Sequence, residues 1–149
     1  MSPTSPSADI RRCRPGDFDT ILALLGQLWP DTPPDPAAAR TIFDRALAST
    51  NQACFCAAIN DRLIAFGAIT FMNVLWPKGP SAHINELVVD LDHRGRGVGS
   101  QLLLHLLSYA REAGCRRVEL DSGHHRNADH QFYLQHGFEN RACLFSKPL

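Results

Sequence analysis

The sequence predicts an α/β fold in which helices cover both faces of one sheet. Apolar residues recur at helical spacing in four segments, and short apolar or β-branched runs lie between those segments. In chain order the predicted elements read β-α-α-β-β-β-α-β-α-β, which is typical of a mixed α/β architecture. The chain of 149 residues is long enough for one domain with a substantial core.

The first half of the chain predicts one strand, two helices and a hairpin. Pro15-Gly16-Asp17 ends the first strand, and Asp17 is a suitable N-cap for the helix that follows. Four prolines between residues 30 and 36 predict a loop, and Asn60-Asp61 is a typical hairpin turn. The predicted elements are the strand Ile10–Arg14, the helices Phe18–Trp29 and Ala37–Ala48, and the strands Ala53–Ile59 and Leu63–Asn73.

The second half predicts the central strand and the longest helix. The strand covers Ala82–Val89, and the helix runs from about Gly97 to Ala113 because Gly114 is a typical helix stop. Strand Arg117–Leu120 and helix Ala128–His136 follow, and residues 138–146 have room for one or two further strands. The Ser- and Pro-rich segment 1–8 predicts a flexible leader, so the predicted domain covers residues 9–149.

A glycine-rich loop between the central strand and the long helix predicts an anion-binding site. Gly95, Gly97 and Gly99 allow the backbone to approach a ligand closely and to adopt left-handed angles at low cost. The first turn of the following helix offers unpaired N–H groups and a partial positive charge. Arg94 and Arg96 add side-chain charge beside the loop. Together these features are typical of a loop that holds a pyrophosphate.

Two other phosphate-binding loops fit this spacing less well. The loop of nucleotide hydrolases needs Lys followed by Ser or Thr after its last glycine, whereas Ser100-Gln101 follow Gly99. A dinucleotide fold needs its glycines directly after the strand and one at position 100. Asp121 lies near the distance expected of a ribose-binding acid, but the 50 residues after Gly99 are too few for the rest of a doubly wound sheet.

Three motifs of the chain resemble those of the GNAT N-acetyltransferases. Arg94-Gly95-Arg96-Gly97-Val98-Gly99 matches their R/Q-x-x-G-x-G/A signature, with Asn85-Glu86-Leu87-Val88-Val89 upstream and the F-Y-x-x-x-G-F motif Phe132–Phe138 downstream. The resemblance implies a GNAT fold with a mixed, mostly antiparallel sheet, and acetyl-CoA as co-substrate. It also implies that the strand bulges and pairs with pantetheine near Leu87–Val89. The implied cofactor-binding residues are Leu87, Val88, Val89, Arg94, Gly95, Arg96, Gly97, Val98, Gly99 and Ser100.

Acetylation of an amine requires a base and an acid. An alkyl ammonium has a pKa of about 10.4 and must lose a proton, and the departing thiolate needs a donor. Glu86 is the candidate base, because a carboxylate in an apolar strand is costly unless it faces a cleft or water. Tyr133 is the candidate acid, since a phenol can donate to sulfur. Many GNAT members have residues in these roles, directly or through water; a structural carboxylate and a packing aromatic are the alternatives.

The acceptor site is predicted at the exit of the first helix, at His83–Glu86, and after the fifth strand. Asp31 and Asp35, in the proline-rich loop, would suit a cationic acceptor, whereas Arg126 or Arg141 would suit a phosphonate. His83 could relay a proton. The residues predicted to contact the acceptor are Trp29, Asp31, His83 and Arg126. No metal site is predicted, because the histidines and cysteines lack the spacing of metal ligands.

Charge and composition restrict the partners. Fifteen basic and fifteen acidic side chains leave no net charge, so no long-range field favours nucleic acid or an anionic membrane. The apolar runs are far shorter than the ~20 residues that span a bilayer, and no signal peptide is predicted. Five cysteines without metal spacing indicate a reducing cytoplasm. The expected partner is a small-molecule amine, and a homodimer is left open.

The C-terminal half is similar to the aminoalkylphosphonate N-acetyltransferases and to unassigned small-molecule acetyltransferases. The similarity lies at Glu86–Val89, at Leu120–Tyr133 and at Phe145–Leu149, and it departs at Asp129, where relatives usually have alanine. The first half resembles the phosphonate enzymes only weakly. The resulting expectation is direct transfer from acetyl-CoA to a primary amine of a small molecule. The alternatives are a non-catalytic acyl-CoA-binding regulatory module and a protein N-acetyltransferase.

Overall fold

The computed structural model describes residues 7–149, in which five strands and four helices follow the predicted order. Residues 1–6, most of the predicted leader, lie outside the described residues. Each element begins and ends within two residues of its predicted position. The strands are β1 (Asp9–Arg12), β2 (Gln52–Ile59), β3 (Arg62–Met72), β4 (Ser81–Val89) and β5 (Arg117–Leu120), and the helices are α1 (Phe18–Leu28), α2 (Pro36–Ala48), α3 (Val98–Glu112) and α4 (Asn127–Gln135).

The five strands form one sheet in the order β1-β2-β3-β4-β5. The three pairs from β1 to β4 are antiparallel. Strand β5 lies beside β4 and is joined to it through α3, the kind of crossover that a parallel neighbour requires. The sheet is therefore mixed and mostly antiparallel, and the predicted fold class is confirmed.

Side-chain alternation along β3 shows that helices cover both faces of the sheet. Phe66 and Ala68 belong to the buried cluster that α1 and α2 build with Cys13 and with residues of β2 and β4. Gly67, between them, faces α3, because a Cβ added to it would lie 3.1 Å from Leu106 Cδ1 and 3.4 Å from Leu102 Cδ2. The main members of the α1–α2 cluster are Phe18, Ile21, Leu24, Phe43, Cys54, Cys56, Phe66, Ala68 and Val88.

The chain forms two compact units, one that ends at Glu119 and one that covers Leu120–Leu149. In the second unit, α4 ends at a left-handed Gly137 (φ +85°), and Phe138 N donates to Tyr133 O over 3.0 Å. Residues 136–149, all of them described, contain no strand. The tail strands expected from the sequence are thus missing, because a strand needs a paired neighbour for its backbone groups. No described helix is long and apolar enough to cross a membrane.

Candidate functional site

The glycine loop between β4 and α3 has the backbone conformation that its sequence predicts. Gly95 (φ +76°) and Gly97 (φ +83°) lie in the left-handed region, which other residues adopt only at a cost. No described atom lies within 4 Å of a Cβ added at either position. The glycines are therefore required by the backbone angles rather than by crowding, and the space beside them is open to a ligand.

The N-terminus of α3 points its free N–H groups into this loop. Gly97 is the N-cap, and the first helical hydrogen bond runs from Gln101 N to Gly97 O over 3.0 Å. The helix itself gives the preceding three N–H groups no partner, and no described side chain caps them. These groups belong to Val98, Gly99 and Ser100. Such an end attracts an anion such as a pyrophosphate.

The start of the loop is joined to α1 by hydrogen bonds that the sequence pattern does not predict. Gln27 Nε2 donates to Asp90 Oδ1 over 2.9 Å, and Gln27 Oε1 accepts from Leu91 N over 2.9 Å. His93 Nδ1 lies 2.8 Å from Asp90 Oδ2. These contacts hold the pKa of Asp90 below its usual value, and the hydrogen bond from Gln27 has the largest effect. The only sequence signal was the polarity of the segment, which does not indicate a partner 63 residues away.

Glu86 lies in β4 next to an irregularity in the pairing with β3. Ala68 pairs with Glu86, but Ile69 pairs with Ile84, so Asn85 is an extra residue in β4, a β-bulge. Glu86 shares the face of Ala68, which belongs to the α1–α2 cluster. Burial raises the pKa of Glu86 from 4.5 to about 6, and the nearby charge of His83 opposes this increase. A carboxyl with such a pKa is suited to accept a proton near neutral pH.

Hydrogen bonds join polar side chains of the strand segments next to Glu86. His83 Nδ1 lies 3.1 Å from Asn85 Oδ1. Asn85 Nδ2 donates to Thr70 Oγ1, which also accepts from Gln52 Nε2 over 3.5 Å. The network crosses β4, β3 and β2 and fixes the polar edge of the face that carries Glu86.

A cavity of about 590 Å³ lies between that face of the sheet and helices α1 and α2. Its volume falls within the range of small-molecule sites, roughly 300–1,000 Å³. Glu86 and Asn85 contribute the β4 part of the wall. The rest of the wall is mostly apolar: Phe18, Ile21, Leu25, Trp29, Pro34, Asp35, Ala38, Ala39, Ile42, Phe43, Ala46, Gln52, Ala53, Cys54, Phe66, Ala68, Ile69 and Thr70.

Comparison with known proteins identifies the family to which the chain belongs. Residues 18–138 match the family model described as acetyltransferase (GNAT) family. The chain belongs to this family. The GNAT chain is also 30% identical, over 97% of its own length and 93% of the relative's, to an aminoalkylphosphonate N-acetyltransferase of Salmonella typhimurium. It is 30% identical, over 94% and 93%, to an aminoglycoside N(6')-acetyltransferase of Stenotrophomonas maltophilia.

A solved structure shares the GNAT fold over the whole chain. An aminoglycoside N-acetyltransferase in complex with CoA superposes with a TM-score of 0.84 at 21% identity, and the match covers 100% of both chains. The protein is an acetyl-CoA-dependent N-acetyltransferase, and its co-substrate is acetyl-CoA. The resemblance to the GNAT N-acetyltransferases, inferred from the sequence motifs, is confirmed.

The cavity of this acetyltransferase includes some of the residues predicted for the acceptor site but not others. Trp29 and Glu86 line it, whereas Asp31 and His83 are not among its lining residues. Asp35 lines it, although its Oδ2 also accepts from Ala38 N over 2.9 Å and so caps α2. Arg126 lies in the second unit, where its Nη1 is 3.9 Å from Asp129 Oδ2.

The strand segment implied to hold pantetheine is regular on its β3 side. Leu87, Val88 and Val89 pair with Gly67, Phe66 and Ala65 without a break. The bulge lies upstream, at Asn85, so the position implied by the family resemblance is corrected by the register. Beyond the strand, Arg94 Nε donates to Val89 O over 3.0 Å, which fixes the exposed arginine beside the glycine loop, and Arg96 is exposed as well.

Tyr133 lies on α4 in the second unit and is half-buried. Its ring meets those of Phe132 and Phe138, with centroids 5.3 and 5.6 Å away. Burial raises the pKa of Tyr133 to about 12; Asp129 acts in the same direction and Arg126 opposes it. The phenol is therefore protonated across the physiological range and retains a proton to donate.

The thiols of the first unit include one group with the geometry of a metal site. Ligand atoms of Cys13, Asp17 and Cys56 lie within 4.8 Å of one another. Asp17 already accepts from Arg11 over 2.8 and 2.9 Å, and from Arg14 N over 2.7 Å. A cation would have to displace that guanidinium, so the donor set suits an arginine–carboxylate pair better than a metal.

Proposed function

We propose that this acetyltransferase moves the acetyl group of acetyl-CoA directly to the primary amine of a small molecule, with Glu86 as base and Tyr133 as acid. The observation that carries the proposal is the position of Glu86 in the wall of a cavity of ligand size, with a pKa of about 6. Groups tuned towards neutral pH within a cavity are typical of catalytic sites.

Acetyl-CoA would bind through the glycine loop. The N–H groups of Val98, Gly99 and Ser100 would hold the pyrophosphate, and the exposed Arg94 and Arg96 would add charge. The left-handed Gly95 and Gly97 leave room for the phosphate oxygens. The strand segment Leu87–Val89 would then lie along the pantetheine arm, which brings the thioester towards Glu86.

The reaction in this proposal removes two protons from the acceptor nitrogen and delivers one to the CoA sulfur. Glu86, directly or through a water, takes a proton from the ammonium of the acceptor. The neutral amine attacks the thioester carbon, so that a C–N bond forms and the C–S bond breaks. Tyr133 gives its phenolic proton to the departing sulfur, which leaves as the thiol of CoA, and the resulting phenolate takes up the second proton that the acetylated nitrogen releases. The charge of His83, when that ring is protonated, lowers the pKa of Glu86 and so favours its ionised form.

Direct transfer is supported over an acetyl-cysteine intermediate. Among the described lining residues the only cysteine is Cys54, and burial with the nearby Glu86 raises its pKa to about 11. A thiol in that state contains little of the thiolate that would attack a thioester. The acetyl group would therefore pass from sulfur to nitrogen in one step.

The relatives support a small-molecule acceptor. The proteins of Salmonella typhimurium and Stenotrophomonas maltophilia are named for an aminoalkylphosphonate and an aminoglycoside, both of them small amines.

All five cysteines are free, which fits a reducing compartment such as the cytoplasm.

The test is release of free CoA thiol from acetyl-CoA in the presence of a panel of primary amines, repeated with Glu86→Gln. We expect turnover with at least one small amine and a loss of about 10²–10⁴-fold in kcat for the variant. Binding of acetyl-CoA without turnover of any amine would favour the non-catalytic acyl-CoA-binding module. Acetylation of protein amino termini or lysines in preference to small amines would favour the protein N-acetyltransferase.

A further inference from the structure

The cavity wall has a chemical bias that indicates the acceptor class. Among the described lining residues, the only charged side chains are the carboxylates of Asp35 and Glu86, and none is a lysine or an arginine. Four of the lining residues are aromatic: Phe18, Trp29, Phe43 and Phe66. We propose that the acceptor is a primary arylalkylamine, in which a short alkyl arm joins the amine to an uncharged aromatic body. This inference rests on the proposed function, because it names the substrate class of the same site.

The charge of the wall suits a cation and disfavours an anion. An alkylamine arrives protonated, and the carboxylate of Glu86 attracts it before accepting its proton. A phosphonate or phosphate in this cavity would lie near the carboxylates of Asp35 and Glu86, and no lysine or arginine among the described lining residues would compensate its charge. The guanidinium of Arg40 packs over the Phe18 ring at 5.0 Å, but its Nε lies 3.2 Å from Asp44 Oδ1, so that cation is already paired along α2.

Three neutral polar side chains of the wall, Gln52, Thr70 and Asn85, are joined by hydrogen bonds. Thr70 Oγ1 accepts from Gln52 and from Asn85, and Asn85 Oδ1 lies 3.1 Å from His83 Nδ1. A hydroxyl-rich acceptor would find few neutral polar partners, because most of the described wall is apolar and Gln52, Thr70 and Asn85 already bond to one another, and buried hydroxyls without partners are costly. The wall therefore selects against sugar amines as well as against anionic ones.

The aromatic part of the wall provides a surface for a ring. Phe18 and Phe43 meet at 5.7 Å with their planes tilted by 40°, and both are buried. Trp29, at the C-terminal end of α1, keeps 37% of its surface exposed although it lines the cavity. An aromatic body could stack on this indole without displacing a core side chain.

The experiment uses three acceptors that share one ethylamine arm: 2-phenylethylamine, 2-aminoethylphosphonate and ethanolamine. We measure kcat/KM for each from CoA thiol release, and we measure binding of each to the CoA complex by calorimetry. We expect 2-phenylethylamine to exceed both others by about a hundredfold in kcat/KM, because only its ring transfers apolar surface into the wall. Its binding should likewise be the tightest of the three.

The outcomes separate this inference from the proposed function. Preference for the phosphonate or for ethanolamine would overturn the inference while the proposed transfer stands. Tight binding of 2-phenylethylamine without acetylation of any amine would support the inference and overturn the proposed transfer. If 2-phenylethylamine binds no better than ethanolamine, the inference is wrong.

A pair of variants tests whether the preference among the three amines arises in the wall of this cavity. Ile42 lines the cavity yet is 64% exposed, so Ile42→Arg adds a cation to the wall at a position that tolerates it. We expect it to lower kcat/KM for 2-phenylethylamine and to raise it for 2-aminoethylphosphonate, each by about tenfold. Leu104→Arg, at a position on α3 that is 57% exposed, is the matched control and should change neither value. Equal effects of the two variants would overturn the assignment of the cavity.

Discussion

His83 and Glu86 share one face of β4 although they are three residues apart. In a regular strand, residues separated by three positions point to opposite faces. The extra residue Asn85 corrects the phase, so that His83, opposite Thr70, and Glu86, opposite Ala68, both lie on the α1–α2 side of the sheet. This arrangement explains why the charge of His83 acts on the pKa of Glu86.

The first prediction concerns pH. Because Glu86 must be ionised to accept a proton and its pKa is about 6, kcat/KM should rise with pH through a limb near 6. Glu86→Gln should remove this limb and lower kcat by about 10²–10⁴-fold. Glu112→Gln, at the exposed end of α3, is the control and should keep the pH limb and the wild-type kcat. An unchanged profile in the Glu86 variant would show that another group is the base.

The raised pKa of Glu86 also predicts a dependence of stability on pH. The folded protein keeps a proton on Glu86 that the unfolded chain releases between pH 4.5 and about 6. The contribution of this residue to stability should therefore decrease as the pH rises through that window. Denaturant unfolding of the wild type and Glu86→Gln at several pH values measures the difference, which should level off above the window.

The second prediction tests the glycine loop by comparing the two ends of α3. Gly97 (φ +83°) precedes the helix and Gly114 (φ +90°) follows it, and neither has a described atom within 4 Å of an added Cβ. Aspartate at either position should cost a similar ~1 kcal/mol of backbone strain. Only Gly97→Asp should weaken acetyl-CoA binding, by at least about tenfold in Kd measured by calorimetry. Equal losses of affinity in both variants would remove this loop from the binding site.

The third prediction concerns the two tyrosines of the chain. Tyr133→Phe should lower kcat by about 10²–10⁴-fold and leave acetyl-CoA affinity nearly unchanged, because only the hydroxyl is lost. Tyr109→Phe removes a hydroxyl that accepts from Arg12 Nη2 over 2.9 Å and should keep wild-type turnover. With the pKa of Tyr133 at about 12, no decrease of kcat due to this residue is expected at physiological pH. Wild-type kcat in Tyr133→Phe would contradict its role as acid.

The fourth prediction concerns stability and uses two glycines in different surroundings. Gly67→Val should destabilise the protein by about 1–3 kcal/mol, because a Cβ there would already meet Leu106 at 3.1 Å. Gly26→Ala, within α1 and with no described atom within 4 Å of its added Cβ, should stabilise it by about 0.5–1 kcal/mol. Midpoints of denaturant unfolding at a constant m value measure both. If Gly67→Val is as stable as the wild type, α3 moves away from the sheet at little cost in free energy.

Local signals in the sequence predicted most of the fold. Period-two and helical patterns, the prolines of residues 30–36 and the stop at Gly114 depend on nearby residues only, so the elements were found within two positions. The chemistry of the glycine loop is local in the same way. The absent tail strands show the limit, because residues 138–146 contain strand-forming residues but no neighbour pairs with them in the structure.

The cavity that is the candidate acceptor site could be predicted only in part. One extra residue in β4 cannot be read from alternation, because the apolar pattern around Asn85 is compatible with a regular strand. The contact of Gln27 with Asp90 joins residues 63 positions apart. The cavity itself arises where α1 and α2 leave space above the sheet, so Trp29 could be predicted from the stiff loop but Phe43 and Phe66 could not.

The walls of the cavity and the glycine loop come from different stretches of the chain. Most lining residues lie between Phe18 and Thr70, whereas the loop and the start of α3 lie beyond Asp90. Under the proposed function, mutations in the earlier stretch would alter the choice of acceptor and leave the contacts with acetyl-CoA unchanged. In that case a descendant of this chain could accept a different amine through changes in α1 and α2 alone, while Glu86, which lines the cavity from β4, would stay in place.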